Sequence, residues 1–381
     1  MKINTFCNHS NNHQTSGNNA MNNHTSSFST NIHKTTGNST MNNSFFTADL
    51  DSKIMNLIKN APSLGEYSEQ LFSKWLELKN QKLNIMITGA TGSGKSSTIN
   101  ALFNMDSATV TDEIAKVGVG VDPETMNIKK YELGNMNLWD SPGLGDGYEA
   151  DRCHARNIID KLQEKDENGK FLIDLVLVIL DGGSRDLGTS YELINKVIIP
   201  NLGNDKSKRI LVAINQADNA MKGRNWDYEN NCPEPKLVEF LEEKCQSVKR
   251  RIKEGTGVDV EPIYYSAGYK EDGQPQGRPY NLAKLFYFIL DHIPAEKRLT
   301  AVSNINTTEE MWNDNDSPDY AQKCRSKLRE GISLAFKGAG LGALIGGAIG
   351  SIIPGIGTAM GASVGTIVGG IGGFIGGLFD W

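Results

Sequence analysis

The sequence predicts an α/β fold: a mostly parallel sheet with one antiparallel edge strand, helices on both faces, and extra segments at both ends. Three observations predict it. Strand and helix signals alternate from Leu83 to Pro294, the pattern of a parallel sheet wrapped by helices. Two strand-like runs, Met126 to Leu133 and Met136 to Asp140, flank Gly134-Asn135, a tight-turn signal that predicts an antiparallel hairpin. A glycine-rich loop sits between the apolar strand at Leu83 to Thr88 and a helical run through Ile99, Leu102 and Phe103.

The segments follow in order. Residues 1–46 are almost entirely Asn, Ser, Thr and His, with too little apolar surface to offset the entropy of ordering, so a disordered tail is expected. His9 and His13 stand four apart, but a helix is disfavoured in so Asn-rich a stretch and no carboxylate lies nearby, which argues against a metal site. Residues 47–81 carry helical spacing, with Ile54, Leu57 and Ile58 before Pro62 and Tyr67, Leu71, Trp75 and Leu78 after it, and predict two short amphipathic helices. Residues 82–296 form the α/β core. Residues 297–331 are polar, with a loop at Asn313 to Pro318 and a charged helix holding Lys323, Arg325, Lys327 and Arg329, and predict a linker.

Residues 332–381 change character. Gly338 to Phe379 holds no charged residue, and Gly357, Gly361, Gly365, Gly369, Gly373 and Gly377 recur at every fourth position, as Gly338, Gly342, Gly346 and Gly350 do before them. On a helix such glycines stack into a smooth groove that lets a second helix approach closely. Pro354-Gly355 divides the run into halves, each close to the roughly 20 residues that cross a bilayer. The expectation is a membrane hairpin contacting lipid through residues 338–379, both ends on the cytoplasmic side where Lys and Arg residues precede it. A buried soluble hairpin or an oligomer core is the competing reading.

The whole chain narrows the field. A formal net charge of −6 over 381 residues argues against a protein that coats nucleic acid. The five cysteines, Cys7, Cys153, Cys232, Cys245 and Cys324, lack Cys-x-x-Cys or His-flanked metal spacing, which suits a reducing cytoplasm, and no secretory signal is expected.

Four motifs carry chemistry. Gly89-Ala90-Thr91-Gly92-Ser93-Gly94-Lys95-Ser96, followed by Ser97, fits the full P-loop pattern, in which backbone N–H groups cradle phosphate at a helix N-terminus. Lys95 supplies a charge for the β- and γ-phosphates and the Ser96 hydroxyl suits Mg²⁺. Asp140-Ser141-Pro142-Gly143 follows the hairpin, where Asp140 suits Mg²⁺ and the Gly143 N–H suits the γ-phosphate. Asn215-Gln216-Ala217-Asp218 ends the strand Ile210 to Ile214; a carboxylate there accepts from N1–H and N2–H₂ of guanine, donors that adenine lacks in that pattern. Ser266-Ala267-Gly268 ends the next strand, and a backbone N–H there suits the guanine O6. Val176 to Leu180 with Asp181 resembles a Walker B strand and is the ATPase alternative; Asp140 and Asp218 already supply the metal and base functions, leaving Asp181 as a loop or capping residue.

In order and spacing these motifs resemble the G domain of Era-like GTPases of the translation-factor (TRAFAC) class. Val117 to Thr125 and Arg185-Asp186-Leu187-Gly188-Thr189 look like the bacterial YfjP/YeeP-like subgroup. The resemblance implies GTP and GDP as ligands with Mg²⁺, and catalytic roles for Lys95, Thr125 and Gly143, Thr125 being the switch I threonine that joins Ser96 and Asp140 at the metal. Thr109 and Thr111 compete for that role. Asn104 to Glu124 and Leu144 to Asp160 would be the switch segments. Leu144 stands where many relatives have the water-orienting glutamine, which implies slow hydrolysis; Arg152 or Arg185 could serve as an arginine finger, a surface ion pair being the favoured reading for each. Gln216 and Gly268 replace the usual lysines, which implies modest affinity. A homodimer or oligomer is compatible with the superfamily. The resulting expectation is a slow GTPase acting as a membrane-associated switch; the alternative is a pore-forming or membrane-remodelling effector whose glycine-rich tail the G domain controls.

Overall fold

The computed structural model describes residues 52, 55–56, 68–103, 128–145, 147–270, 276–306, 308–312 and 318–337. The Asn-rich tail, Thr109, Thr111, Thr125, and the glycine-rich residues 338–379 lie outside the described residues.

Six strands form the central sheet: β1 (Leu83–Gly89), β2 (Lys129–Leu133), β3 (Met136–Asp140), β4 (Leu175–Asp181), β5 (Ile210–Asn215) and β8 (Ile263–Tyr264), in the order β2-β3-β1-β4-β5-β8. Every neighbouring pair is parallel except β2 with β3, which the Gly134-Asn135 turn folds back into a hairpin that pairs Leu133 with Met136. A separate two-stranded ribbon joins β6 (Trp226–Asp227) and β7 (Cys232–Pro233).

Side chains alternate across the sheet and feed two cores. Ile85 and Ile87 of β1, Leu177 and Ile179 of β4 and Leu211 and Ala213 of β5 enter one core. Met86, Val176, Val178, Leu180, Val212 and Ile214 enter the other. All seven residues of β1 are buried, which is why the parallel strands read as nearly unbroken apolar runs rather than alternating ones.

On the first face lie α1 (Ser68–Lys79), α2 (Lys95–Phe103), α6 (Leu282–His292), α7 (Arg298–Ser303) and α8 (Tyr320–Lys337). The second face carries α3 (Tyr148–Gln163), the irregular helix α4 (Gly188–Glu192) that continues through Leu193–Ile198 as one wide turn, and α5 (Pro235–Thr256). α5 shows why these helices sit where they do. Pro235 starts it where an N–H is dispensable, Leu237, Leu241, Cys245, Val248 and Ile252 recur at helical spacing on the buried side, and the Gly257 N–H closes it on the Lys253 carbonyl.

The polar stretch after Pro294 is built into this core. Arg298, Leu299, Thr300, Ala301 and Val302 are buried, and α8 lays Cys324, Leu328, Ile332 and Phe336 against the first face while Lys323, Arg325 and Arg329 stay on its outer side. A linker and a charged helix were expected; the helix is α8, and its basic residues Lys323, Arg325 and Arg329 lie on the side away from the core while Lys327 pairs with Asp291. Burying Leu328, Ile332 and Phe336 contributes about 1.5–3 kcal/mol each. Among the described residues, no helix is long and apolar enough to cross a membrane.

Candidate nucleotide site

The motifs meet at the carboxyl ends of β1, β3, β5 and β8, the edge of a parallel sheet where connecting loops gather. β1 ends at Gly89, and the chain loops through Ala90–Gly94 before α2 begins at Lys95. Gly94 has φ 87°, and a Cβ there would run into the Asn215 carboxamide, so this position demands glycine twice over. Lys95 arches back over the loop, its Nζ donating to the carbonyls of Gly89 at 3.3 Å and Ala90 at 3.1 Å. Ser96 and Ser97 are half-buried in the first turn of α2.

Asp140 ends β3, with Ile87 opposite it across the pairing of β1 and β3. Only 5 % exposed, it keeps Oδ1 sealed from solvent with no hydrogen-bond partner. Burial pushes its carboxyl up to about 6, and the charges of Lys95 and Lys129 pull against that rise. A buried carboxylate oxygen without a partner, at the same end of the sheet as the Ser96 hydroxyl in the first turn of α2, belongs to an all-oxygen donor set suited to a hard divalent cation, so the residues present fit Mg²⁺. The third metal candidate, Thr125, is outside the described residues.

Beyond Asp140 the chain runs back to the P-loop. The Thr91 N–H donates to the Leu144 carbonyl at 3.1 Å, and Leu144 itself is 6 % exposed within the second core. The segment expected as a switch from Leu144 is helical from Tyr148. On that helix the buried His154 sets Nδ1 3.0 Å from the Gly143 carbonyl, a tie that makes Nδ1 the protonated nitrogen. Arg152 and Arg185 are both exposed.

On the other flank, the buried Asn215 joins two loops. Its Nδ2 donates to the Ser93 carbonyl at 3.0 Å, and its Oδ1 accepts the Ala267 N–H at 2.9 Å. Gln216, in the left-handed region at φ 59°, donates from Nε2 to the Gly92 carbonyl at 2.8 Å, so the side chain standing where a lysine is usual braces the P-loop. Asp218 has Oδ1 buried and without a hydrogen-bond partner. Ser266 and Ala267 are buried, and the Ala267 N–H, expected for a guanine O6, is donated to Asn215. At Gly268, φ is 74° and a Cβ would run into the Gly277 carbonyl; backbone packing therefore excludes the usual lysine there.

Asp181, the ATPase candidate, is a turn residue: its Oδ1 accepts the Gly183 N–H at 2.7 Å. Lys244 fastens the same turn by donating to the carbonyls of Asp181, Gly182 and Ser184. The basic run on α5 is a solvated face, with Lys249 paired to Asp259 and Glu261, and Lys253 to Asp259. Two residues at the site, His154 and Gln276, belong to no sequence motif; only the fold brings them near Gly143 and Ala267.

Strand order, the P-loop after β1, and Asp140, Asn215 and Asp218 at the carboxyl ends of β3 and β5 define a G-domain fold of the P-loop class. Residues 84–216 match the family model described as 50S ribosome-binding GTPase, so the middle of the chain is a GTP-binding G domain. Among curated proteins, interferon-inducible GTPase 1 of Mus musculus is 35% identical over 100 residues, covering 25% of this chain and 24% of that one. The chain thus spans about a quarter of the length of the curated relative it matches. Among solved structures, a probable GTP-binding protein engB is similar at 20% identity and TM-score 0.34, covering 55% of this chain and 97% of that one. The bacterial dynamin GTPase LeoA from ETEC is similar at 13% identity and TM-score 0.35, covering 80% and 48%.

Proposed function

We propose that this chain is a slow, Mg²⁺-dependent GTPase that works as a switch at a membrane surface. The observation that carries the nucleotide choice is Asp218: its buried, unpartnered Oδ1 lies in a site whose P-loop and Ala267 loop are held together by Asn215. Guanine offers paired N1–H and N2–H donors to such a carboxylate; adenine would leave it desolvated and unpaired, a penalty of about 1–3 kcal/mol or more.

The proposed division of labour rests on the motifs. The P-loop amides and Lys95 hold the β- and γ-phosphates, and Lys95 meets negative charge as it develops on the bridging oxygen. Ser96 and Asp140, with Thr125 completing the set, would hold Mg²⁺, which would neutralise charge on the phosphate oxygens. Gly143 presents its N–H toward the γ-phosphate, and the bond from its carbonyl to His154 limits how that peptide turns. Ser97 and Ser266 complete the walls around phosphate and base. Leu144 faces the core and supplies no polar atom to orient water, which is the basis for a low intrinsic rate.

Residues 338–379, charge-free and glycine-periodic, are the proposed lipid-contacting part, placing the G domain on the cytoplasmic side. The same stretch supports a second reading, an effector whose tail permeabilises membranes under control of the nucleotide. Calorimetry with GTP, GDP and ATP on the full chain and on Asp218→Ala tests the nucleotide reading. Guanine-selective binding lost in the variant is expected; equal ATP binding would sink it. Nucleotide-dependent leakage from liposomes would favour the effector, and GTP turnover without leakage the switch.

A further inference from the structure

The loop that follows β8 returns on itself. Ser266 and Tyr280 exchange backbone hydrogen bonds at 3.0 and 2.9 Å, and Tyr269 and Gly277 do the same at 3.1 and 3.0 Å. Together these bonds hold residue 276 beside the base-side loop. Gln276 turns its carboxamide inward. Its Nε2 donates to the Ser97 carbonyl, in the first turn of α2, at 3.0 Å and to the Ala267 carbonyl.

Both partners are carbonyl oxygens, which cannot donate, so the amide orientation is fixed: NH₂ faces the two carbonyls and Oε1 faces away from them. That Oε1 is sealed from solvent and accepts no hydrogen bond. Burying an amide oxygen without a donor is costly, and none is supplied among the described residues. The two residues that Gln276 grips belong to different segments, Ser97 to the first turn of α2 and Ala267 to the loop that follows β8. A guanine nucleotide brings donors that Asp218 does not exhaust: the second N2–H and the ribose hydroxyls.

We propose that Gln276 is a specificity residue of this site, bracing the Ala267 loop against α2 through Nε2 and accepting a hydrogen bond from the bound guanine nucleotide at Oε1. The inference rests on the guanine reading of Asp218. It gives the site a base-side contact outside the usual motifs, at the place where Gly268 withholds a long side chain.

The test is calorimetry of GTP, ITP, 2′-deoxy-GTP and 3′-deoxy-GTP on the full-length wild type, Gln276→Leu and Gln276→Met, with thermal melting of each apo protein to confirm folding. Both variants keep the volume and remove the acceptor together with the Nε2 brace. GTP is expected to bind each variant about 5- to 20-fold more weakly than wild type, the loss of one buried hydrogen bond. Loss of the Nε2 brace weakens all four nucleotides alike, so the loss must be smaller for the analogue lacking the donor. If the exocyclic amine is the donor, ITP loses less than GTP; if a ribose hydroxyl, one deoxy analogue does. Unchanged GTP affinity, or an equal loss for all four nucleotides, would overturn the nucleotide contact while leaving Asp218 untouched. A wild type that binds no guanine nucleotide would overturn both.

Discussion

Asn215 and Ser93 are joined across 122 residues of chain by a buried hydrogen bond, Asn215 Nδ2 to the Ser93 carbonyl at 3.0 Å. The same carboxamide accepts the Ala267 N–H, so one side chain sets the spacing between the phosphate loop and the base loop. Asn215→Ala leaves a buried carbonyl and a buried N–H without partners, and is expected to cost about 2–4 kcal/mol of stability and most of the nucleotide affinity. Asn215→Asp keeps the acceptor and loses the donor, so it should restore the Ala267 tie alone and fall between. Urea denaturation with nucleotide titration measures both. An alanine variant as stable as wild type would mean the two loops hold their places without Asn215.

Much of this was legible in the sequence because local signals and the fold agreed. The hairpin around Gly134-Asn135, the strand ending in Asp140 and the strand ending in Asn215 lie where their turn residues and apolar runs put them. The segment from Arg298 to Lys337 was not legible as core, because Lys323, Arg325, Lys327 and Arg329 dominate its composition, although Cys324, Leu328, Ile332 and Phe336 recur at every fourth position on the buried side of α8. Gln276 and His154 escaped for another reason. Their significance lies in contacts to backbone carbonyls of distant loops, and a carbonyl leaves no mark on residue type.

Lys297 and Asp174 form an ion pair at the opposite edge of the sheet, with Nζ 2.7 Å from Oδ1 and the Asp174 side chain 8 % exposed. Burial pushes the Asp174 carboxyl above its ordinary 3.8, and Lys297 and the Asn84 N–H pull it back part of the way. A folded-state value above the unfolded one means the folded protein holds this proton more firmly. Its contribution is therefore fully present below the unfolded value and lost as pH rises through the folded one. Lys297→Met removes the main counterweight, so the window widens upward and the variant is expected to lose about 3 kcal/mol at neutral pH and much less near pH 4. Melting temperatures of both proteins from pH 4 to 8 check this; a pH-independent difference would exclude Asp174 as the cause.

Cys153 and Cys245 are both free thiols in opposite surroundings. Cys153 is exposed on α3, whereas Cys245 is buried under α5, where desolvation pushes its thiol up to about 12. At pH 8 such a thiol is ionised in only about one molecule in ten thousand, and only the thiolate attacks an alkylating reagent. Iodoacetamide at pH 8, followed by peptide mass spectrometry, should therefore modify Cys153 within minutes and leave Cys245 intact until the protein is unfolded. Equal labelling in the native state would mean that α5 opens readily from the second core.

Leu144 gives the sharpest test of how this site treats water. The position follows Gly143, where a glutamine would be the conventional aid to hydrolysis, yet here the side chain packs in the second core with Met86 and Ile158 and its carbonyl holds the Thr91 N–H. Leu144→Gln would place a carboxamide among apolar groups, at a cost of about 1–3 kcal/mol, before it could reach a phosphate. The expected result is a less stable protein whose single-turnover GTP hydrolysis stays within about threefold of wild type, since a group aimed away from the γ-phosphate gives no transition-state contact. A tenfold or greater acceleration would show that residue 144 swings toward the nucleotide during turnover, and that leucine, rather than the direction of the backbone, is what keeps the reaction slow.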